Sequence, residues 1–231
     1  MTGSLLRRAA LALQILVLGT SVAYADCSDQ PGAKVDWTKC QKQRKMLSGQ
    51  NLRNGRFEKT DFSFSDLSKA RLTGAFLVRA NLTGSSLSGA DLRRADLTKA
   101  LGSRADFEGA NLTQAVLAKA EFNRATLSRA DLTEADLSKA ELGRAHLTGA
   151  KLDGTDLSFA YLARADLEGS SLVGTDLTGA YMYLTRLTGI DLSQAIGLTQ
   201  QQLDLACGDE GTKLPTGLER PGSWPCNEEH D

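Results

Sequence analysis

Aromatic residues and histidines are scarce in this 231-residue chain. Phe, Trp and Tyr together make up 6% of the residues, so a conventional core rich in phenylalanine and tryptophan is not expected. Only two histidines are present, and neither has the cysteine or histidine spacing of a metal site or a neighbouring nucleophile. The sequence therefore predicts no catalytic residue, no metal site and no cofactor.

The chain also lacks a marked excess of either charge. It has 27 Lys and Arg residues against 28 Asp and Glu residues, a formal net charge of −1. Loss of a leader that contains Arg7 and Arg8 would leave 25 basic and 28 acidic residues, and 25 − 28 = −3. This near balance predicts neither a nucleic-acid-binding protein nor a strongly acidic mimic of nucleic acid.

Apolar runs that could cross a membrane are absent beyond the first 25 residues. Arg7 and Arg8 precede a 14-residue apolar stretch, Ala9 to Val22, which is followed by Ala23-Tyr24-Ala25. A charged start, a short apolar stretch and a small-x-small site are typical of a secretory signal peptide. We expect cleavage after residues 1–25, a mature chain that begins at Asp26, and a periplasmic or secreted protein without a membrane span.

Two other readings of this N-terminus are disfavoured. An uncleaved anchor would need roughly 20 apolar residues to span a bilayer, more than this stretch provides. A lipid-modified Cys27 is disfavoured because Asp26 stands before it, where a small residue would be expected.

A large apolar residue falls at every fifth position from Leu47 to Leu192. The series has 30 positions without insertion or deletion, and only Gly102 departs from it. Two residues before each apolar centre the chain has Ala, or sometimes Ser, Thr or Gly. Asp or Asn often precedes the centre, and Ser or Thr often follows it, as in Ala130-Asp131-Leu132-Thr133-Glu134.

A period of five fits neither regular element. On an α-helix each step of five residues moves the apolar side chain about 140° round the cylinder, so no apolar face forms. On a strand an odd spacing sends successive apolar side chains to opposite faces. The chain must therefore turn a corner within every unit, with the large and the small residue both pointing inward.

The A-(D/N)-L-x-x pattern resembles that of the pentapeptide-repeat proteins. The resemblance implies an all-β fold, a right-handed quadrilateral parallel β-helix with four units in each 20-residue coil. Residues 47–194 would form about seven coils. The repeated Leu and Ala are core residues, so function must lie on the outer surface. Some cytoplasmic family members resemble a DNA duplex in shape and charge and inhibit topoisomerases. That activity is disfavoured here, because this chain has an export signal and its outer faces carry basic residues where a DNA mimic needs acidic ones.

Both ends of the repeat region have the sequence features of caps. Residues 26–46 predict an N-terminal cap, an imperfect first coil in which Trp37 covers the core and Lys42 breaks the pattern. Residues 195–231 predict a C-terminal cap and tail. Within them Thr199 to Gln202 matches a capping box, which indicates a short helix.

Four cysteines lie outside the repeats, and in an exported chain an even number indicates disulfides. A disulfide needs Cα atoms within about 7 Å of each other, and the predicted solenoid separates its two caps. The favoured pairs are therefore Cys27 with Cys40 and Cys207 with Cys226.

Two positions within the repeats need separate interpretations. Gly102 should leave a gap in the core, which we expect Phe122, one coil on, or the neighbouring Leu101 to fill. His146 lies at an outward position, in a column with Asp106, Thr126 and Asp166, and we interpret it as a surface residue.

Residues 20 apart should stack on one face, and this places basic residues in two columns. The two columns are Lys59, Arg79, Lys99, Lys119 and Lys139, and Arg104, Arg124, Arg144 and Arg164. Like charges about 5 Å apart repel. The structural interpretation is compensation by acidic residues two positions further on: Glu121, Glu141, Asp106 and Asp166. The functional interpretation is a surface for a polyanion.

A second candidate binding surface is aromatic and lies in the last coils. It comprises Phe159, Tyr161, Tyr181 and Tyr183, which form either a contact patch or a seat for the C-terminal lid and Trp224.

Together these features predict a non-catalytic, exported interaction or scaffolding module of the cell envelope. Its partner would be an unknown protein or an anionic envelope component, and not a nucleic acid. The alternatives are a purely structural element without a dedicated ligand and, less favoured, a DNA-mimic topoisomerase inhibitor. The sequence does not predict the oligomeric state.

Overall fold

Backbone pairing repeats every 20 residues along the chain. In the computed structural model, which describes residues 25–226, parallel β-bridges join residues twenty apart, from Asp36 with Arg56 to Asp176 with Ile196. The bridges are isolated and delimit no extended strand in the described range, and its one helix, α1, is Gln200–Leu205. The chain forms a right-handed quadrilateral β-helix, which confirms the predicted fold class.

A tight turn closes every five-residue unit. The amide of the small residue donates to the carbonyl of the preceding apolar centre, as in Gly55 N to Leu52 O at 3.1 Å. The residue two after the apolar centre has a positive φ at every fifth position from Lys34 to Gly189. This left-handed conformation costs an L-residue about 1–2 kcal/mol relative to the right-handed region, whereas glycine adopts it freely. These residues form the corners of the coil.

The frequent Asp before each apolar centre has a structural role in these turns. Its carboxylate accepts a hydrogen bond from the amide two residues further on, as in Ser138 N to Asp136 Oδ1 and Thr98 N to Asp96 Oδ1, both 2.9 Å. Asn is the common alternative because its amide oxygen accepts the same bond. The recurring carboxylates therefore hold the turns.

The core consists of the apolar centres and of the small residues two positions before them, which are buried throughout the repeats. Where a hydroxyl replaces Ala, it donates to a coil carbonyl, as in Thr155 Oγ1 to Leu132 O at 2.8 Å. At Gly102, a Cβ would lie 2.5 Å from Cε1 of Phe122. Phe122 therefore fills the gap, whereas Leu101 is 38% exposed and points outward.

The coil pattern extends into the predicted N-terminal cap. Trp37 is buried, with its ring centre 5.8 Å from that of Phe57 and 6.2 Å from that of Phe62. Lys42 was predicted to break the repeat, but the five-residue register of the coil continues through it. It occupies the inward position, with its Nζ 3.8 Å from the Trp37 ring centre and donating to the Cys27 carbonyl at 2.8 Å. Its long apolar stem is buried while its charge finds partners at the open end.

The predicted disulfide of this cap is confirmed. Cys27 and Cys40 are bonded, with their Cα atoms 5.5 Å apart. The bond ties the residues that begin the described chain to the first coil, and so holds the Cys27 carbonyl over Lys42.

Helix α1 covers the other end of the coil and confirms the predicted capping box. The Thr199 side chain accepts from the Gln202 amide, and the Gln202 side chain accepts from the Thr199 amide. Cys207 and Cys226 are bonded, with Cα atoms 5.4 Å apart. Trp224 is buried and donates its ring N–H to the Ala206 carbonyl at 2.6 Å.

The two ends of the chain are not among the described residues. The predicted signal peptide, apart from Ala25, lies outside the described range, as does the tail after residue 226. Between residues 25 and 226, no helix has the length and apolarity that a bilayer crossing requires.

Candidate interaction surface

Both basic columns occupy corners of the coil. All nine residues have a positive φ of 56–59°. The lysine-rich column (Lys59, Arg79, Lys99, Lys119, Lys139) lies on one corner, and the arginine column (Arg104, Arg124, Arg144, Arg164) lies on the next. Several other corner positions carry glycine, including Gly149 and Gly169. Arginine and lysine are therefore present where the backbone favours glycine.

The predicted compensation of these columns does not form. Among the described residues, the only ion pair made by the nine joins Lys59 to Glu58, at 3.3 Å. Basic residues elsewhere do pair, as Arg93 does with Asp91 at 2.8 Å. The arginine column has no carboxylate oxygen of the described residues within 4.0 Å.

Three of the four expected acidic partners accept hydrogen bonds elsewhere. The Asp106 and Asp166 carboxylates accept from the amides of Glu108 and Glu168, at 2.9 and 3.1 Å, as turn-holding residues do. Glu141 accepts from the Asn123 side chain at 3.0 Å. A carboxylate before an apolar centre is thus drawn to its own turn or to the flat face, and not back across the corner to the preceding arginine.

The aromatic residues separate into two places. Tyr161 stacks on Tyr181 with ring centres 5.3 Å apart, and Tyr183 follows at 6.4 Å from Tyr181. Phe159 lies on the lysine-rich corner, 6.0 Å from Lys139 Nζ and over Gly179. All four are at least 43% exposed. The C-terminal lid does not cover them, and Trp224 packs instead over Gly208.

An open groove of about 470 Å³ lies between the arginine column and the tyrosines. We call it the arginine–tyrosine groove. Arg124, Arg144 and Arg164 form one side, and Gly143 and Ala163 lie between them and Tyr161. The groove is completed by Asn123, Tyr161 and Tyr183.

Gly143 determines how the Tyr161 ring is seated. A Cβ at Gly143 would lie 2.8 Å from Asn123 Oδ1 and 3.0 Å from Tyr161 Cε1. The Gly143 amide also donates to Asn123 Oδ1 at 3.0 Å. Asn123, Gly143 and Ala163 were not predicted as site residues. The available signal was two small residues in consecutive coils at the position after the apolar centre, where Ser or Thr is common.

The other surface features are weaker candidates for a binding site than the arginine–tyrosine groove. A second groove of about 450 Å³ contains Arg129 and Glu108, which form an ion pair with each other. His146 is exposed, and its side chain makes no hydrogen bond within residues 25–226. The same range holds no group of three or more His, Cys, Asp or Glu residues that could bind a metal ion. The arginine–tyrosine groove is lined by three guanidinium groups, each a planar donor of the kind that pairs with carboxylate and phosphate.

Comparisons with known proteins agree with this architecture. The family model described as pentapeptide repeats matches in 8 copies, over residues 47–77, 77–100, 103–138, 130–169, 140–179 and 160–196. These segments span well over half of the chain. Comparison with curated protein sequences gave no match.

Several solved structures are similar to this chain. HetL, a pentapeptide repeat protein involved in heterocyst differentiation regulation in the cyanobacterium Nostoc sp. strain PCC 7120, is 31% identical. That match covers 77% of this chain and 91% of HetL, with a TM-score of 0.42. A trypsin-treated form of QnrB1, a plasmid-mediated fluoroquinolone resistance protein, is 23% identical, with a TM-score of 0.55. This match covers 76% of this chain and 88% of QnrB1, and at this level of identity it is evidence only for a shared fold.

A third similar structure is a pentapeptide repeat protein of the Arabidopsis thaliana thylakoid lumen. It is 34% identical over 43% of this chain and 66% of its own, with a TM-score of 0.34. The family match over most of the coil, together with the 20-residue bridge register and the inward Leu and Ala, leads to one conclusion. This chain is a member of the pentapeptide-repeat family.

Proposed function

We propose that this chain is a non-catalytic, exported interaction module of the cell envelope that binds a partner through the outer surface of its coil. One observation supports this most directly: the arginine column projects four guanidinium groups that have no carboxylate within 4.0 Å in residues 25–226. Stacked like charges raise the free energy of the folded state. An anionic partner would lower it.

Export is supported by the cap chemistry together with the leader sequence. All four cysteines of the chain are paired, in the disulfides Cys27–Cys40 and Cys207–Cys226. Such bonds form and persist in oxidising compartments such as the periplasm and the extracellular space. The mature chain, beginning at Asp26, would lie in such a compartment.

The absence of catalysis is part of the proposal. Pentapeptide-repeat proteins generally act as structural or interaction proteins. Here the inward positions hold alkyl and aryl side chains apart from Lys42 and Gly102, and the buried Thr hydroxyls donate to coil carbonyls, as in Thr175 Oγ1 to Leu152 O at 2.6 Å. The outer surface is left as the place where a partner would be recognised.

A purely structural role is the second candidate, and it is favoured by the two stapled caps. The DNA-mimic alternative has less support. The fold of QnrB1 is similar, but two adjacent corners of this coil carry basic columns, opposite in sign to a nucleic-acid surface.

The test combines location and partner capture. The full chain, fused to a reporter that is active only outside the cytoplasm, should give reporter activity. The mature protein, crosslinked in envelope extract, should capture a partner that the variant Arg124→Glu/Arg144→Glu/Arg164→Glu loses. The matched control is Lys99→Glu/Lys119→Glu/Lys139→Glu, with the same charge change at the same backbone conformation on the other corner.

Two outcomes would contradict the proposal. Retention of the reporter in the cytoplasm would remove the envelope role. Identical capture by all three proteins, each folded as judged by circular dichroism, would remove the arginine column as the binding surface and favour the purely structural role.

A further inference from the structure

We propose that the arginine–tyrosine groove is a binding site for a linear polysaccharide that bears carboxylate groups. This inference deepens the proposed function and rests on it, because such a ligand would be met outside the cytoplasm. It depends on four features of the groove: the choice of arginine, its spacing, the exposed tyrosine rings and the small residues between them.

Arginine is present where lysine would serve as a general positive charge. The lysine-rich column has four Lys and one Arg, whereas the arginine column has no Lys. A guanidinium is planar and binds a carboxylate through two parallel hydrogen bonds, whereas an ammonium acts as a point charge. Three arginines along one groove therefore favour a ligand with planar anionic groups, of which the carboxylate is the simplest.

The spacing of the arginines favours a ligand with several anionic groups. Arg124, Arg144 and Arg164 follow each other at one coil, about 4.8 Å, because adjacent coils are joined by β-type hydrogen bonds. A linear chain that carries carboxylates along its length contacts more than one arginine at a time, whereas a ligand with a single carboxylate does not.

The tyrosines supply the second element of sugar recognition. Tyr161 and Tyr183 border the groove with their rings 46% and 43% exposed. An aromatic ring with a hydroxyl offers an apolar face and a polar edge, and the apolar face of a pyranose packs against such a face. Gly143 and Ala163, which line the same groove, add no side chain larger than a methyl group between the arginines and Tyr161.

The backbone allows an unusually clean test of this site. The three arginines have φ of 57–59°, so glycine fits each position without strain. The variant Arg124→Gly/Arg144→Gly/Arg164→Gly should keep or slightly raise the melting temperature while it removes all three guanidinium groups. Lys99→Gly/Lys119→Gly/Lys139→Gly is the matched control, with equal charge loss at φ of 57–59°.

The probes separate charge from sugar. Calorimetry on the mature protein would use an oligogalacturonate, its methyl ester and a poly-glutamate of equal charge. We expect binding of the oligogalacturonate, no binding of the ester, and at least about tenfold weaker binding of poly-glutamate. The arginine variant should raise the Kd for the oligogalacturonate at least about tenfold, because hydrogen bonds to charged groups are lost. The lysine control should stay within about twofold.

A tyrosine variant tests the sugar contact alone. Tyr161→Ala should weaken oligogalacturonate binding several-fold and leave any residual poly-glutamate binding unchanged. Phe159→Ala, which removes an exposed ring on the other corner, should change neither.

Several results would overturn the inference. Equal affinity for poly-glutamate would make the ligand an acidic peptide, and equal losses in the arginine and lysine variants would reduce binding to general charge. Absence of oligogalacturonate binding by the unaltered protein would remove the site. The reporter experiment is independent of these results, so a failed glycan site and a failed envelope location are distinguishable.

Discussion

At the scale of single residues, the carboxylate before an apolar centre links turn formation to pH. Asp91 shows this most clearly. The hydrogen bond from the Arg93 side chain lowers its pKa, burial opposes that shift, and a bond from Thr73 lowers the pKa further, to about 2. Bonds from the Ser68 hydroxyl and amide likewise lower the pKa of Asp66.

Stability should therefore fall in acid. A carboxyl group whose pKa is lower in the folded than in the unfolded state stabilises the fold above the unfolded value of 3.8, and this contribution is lost as the pH falls towards about 2. The melting temperature should decline across that window. Asp91→Asn, which keeps an oxygen for the turn but does not titrate, should give a shallower decline. A melting temperature that stays constant in this range would contradict the expected role of the carboxylates.

The core gap at Gly102 gives a second prediction at this scale. A leucine there would meet the Phe122 ring, because even a Cβ would lie 2.5 Å from Cε1. Gly102→Leu should destabilise the protein by about 1–3 kcal/mol through overpacking, measured by thermal or denaturant unfolding. Gly102→Leu/Phe122→Leu, which restores the regular column, should recover most of the loss. A single variant more stable than the parent would show that the space was empty.

At the scale of elements, the caps satisfy the backbone groups that the coil leaves open. Helix α1 does this through Gln202, which is buried and donates to the carbonyls of Leu177 and Ala180 at 2.8 and 3.0 Å. At the other end, Lys42 and the Cys27 carbonyl close the coil over Trp37. Both caps thus place a polar side chain over an apolar column.

Loss of the Gln202 amide should loosen the C-terminal cap. Gln202→Leu leaves the Ala180 carbonyl without a donor and the Leu177 carbonyl with only the Ala180 amide, and an unsatisfied buried group costs about 1–3 kcal/mol. Hydrogen exchange should then accelerate in α1 and the last coil more than in the central coils. Gln201→Leu is the control, because Gln201 is exposed on the same helix and makes no side-chain hydrogen bond in the described range. Equal effects of the two substitutions would refute this role for Gln202.

Comparison of the two ends shows which features a sequence reveals. The capping box at Thr199 is local in sequence, so α1 could be predicted. The role of Lys42 could not, because it depends on the Cys27 carbonyl, which the disulfide brings from fifteen residues away. The gap at Gly102 was visible in the sequence, which predicted Phe122 or Leu101 as the residue that fills it, and the direction of the Phe122 side chain decides between the two.

The candidate site was predictable to a similar extent. The 20-residue register identified the arginine column correctly, and it stacked Tyr161 on Tyr181. The expected pairing with Asp106 and Asp166 failed, because local turn hydrogen bonds hold these carboxylates. Phe159 was grouped with the tyrosines by closeness in sequence, although it lies on the lysine-rich corner, whereas Tyr161 and Tyr181 lie on the face that follows this corner.

At the scale of the whole molecule, the caps cover the two ends of the solenoid, where the last coils would otherwise have unpaired backbone groups. Successive coils pair by backbone hydrogen bonds up to the last one, where Leu187 N donates to Cys207 O at 2.6 Å and Leu192 N to Lys213 O at 2.8 Å. A chain that ends after Ile196 would expose these amides together with the apolar core. Such an edge is a template for pairing with another chain.

Truncation after Ile196 should therefore cause self-association through like ends. We expect a concentration-dependent dimer in size-exclusion chromatography with light scattering. Cys207→Ser/Cys226→Ser, which keeps the cap sequence but removes its staple, is the control and should associate less. A truncated chain that stays monomeric at every concentration would contradict the role of the cap as an end cover.

The constant 20-residue register has a consequence for how such a gene could change. A duplication of twenty codons would add one complete coil and lengthen every column by one residue, including the arginine column, without altering which face any side chain occupies. A duplication of five codons would instead rotate all later residues by one face and divide each column in two. Because the fold tolerates many residues at the corners, whole-coil duplication offers a route to longer binding surfaces with the same chemistry.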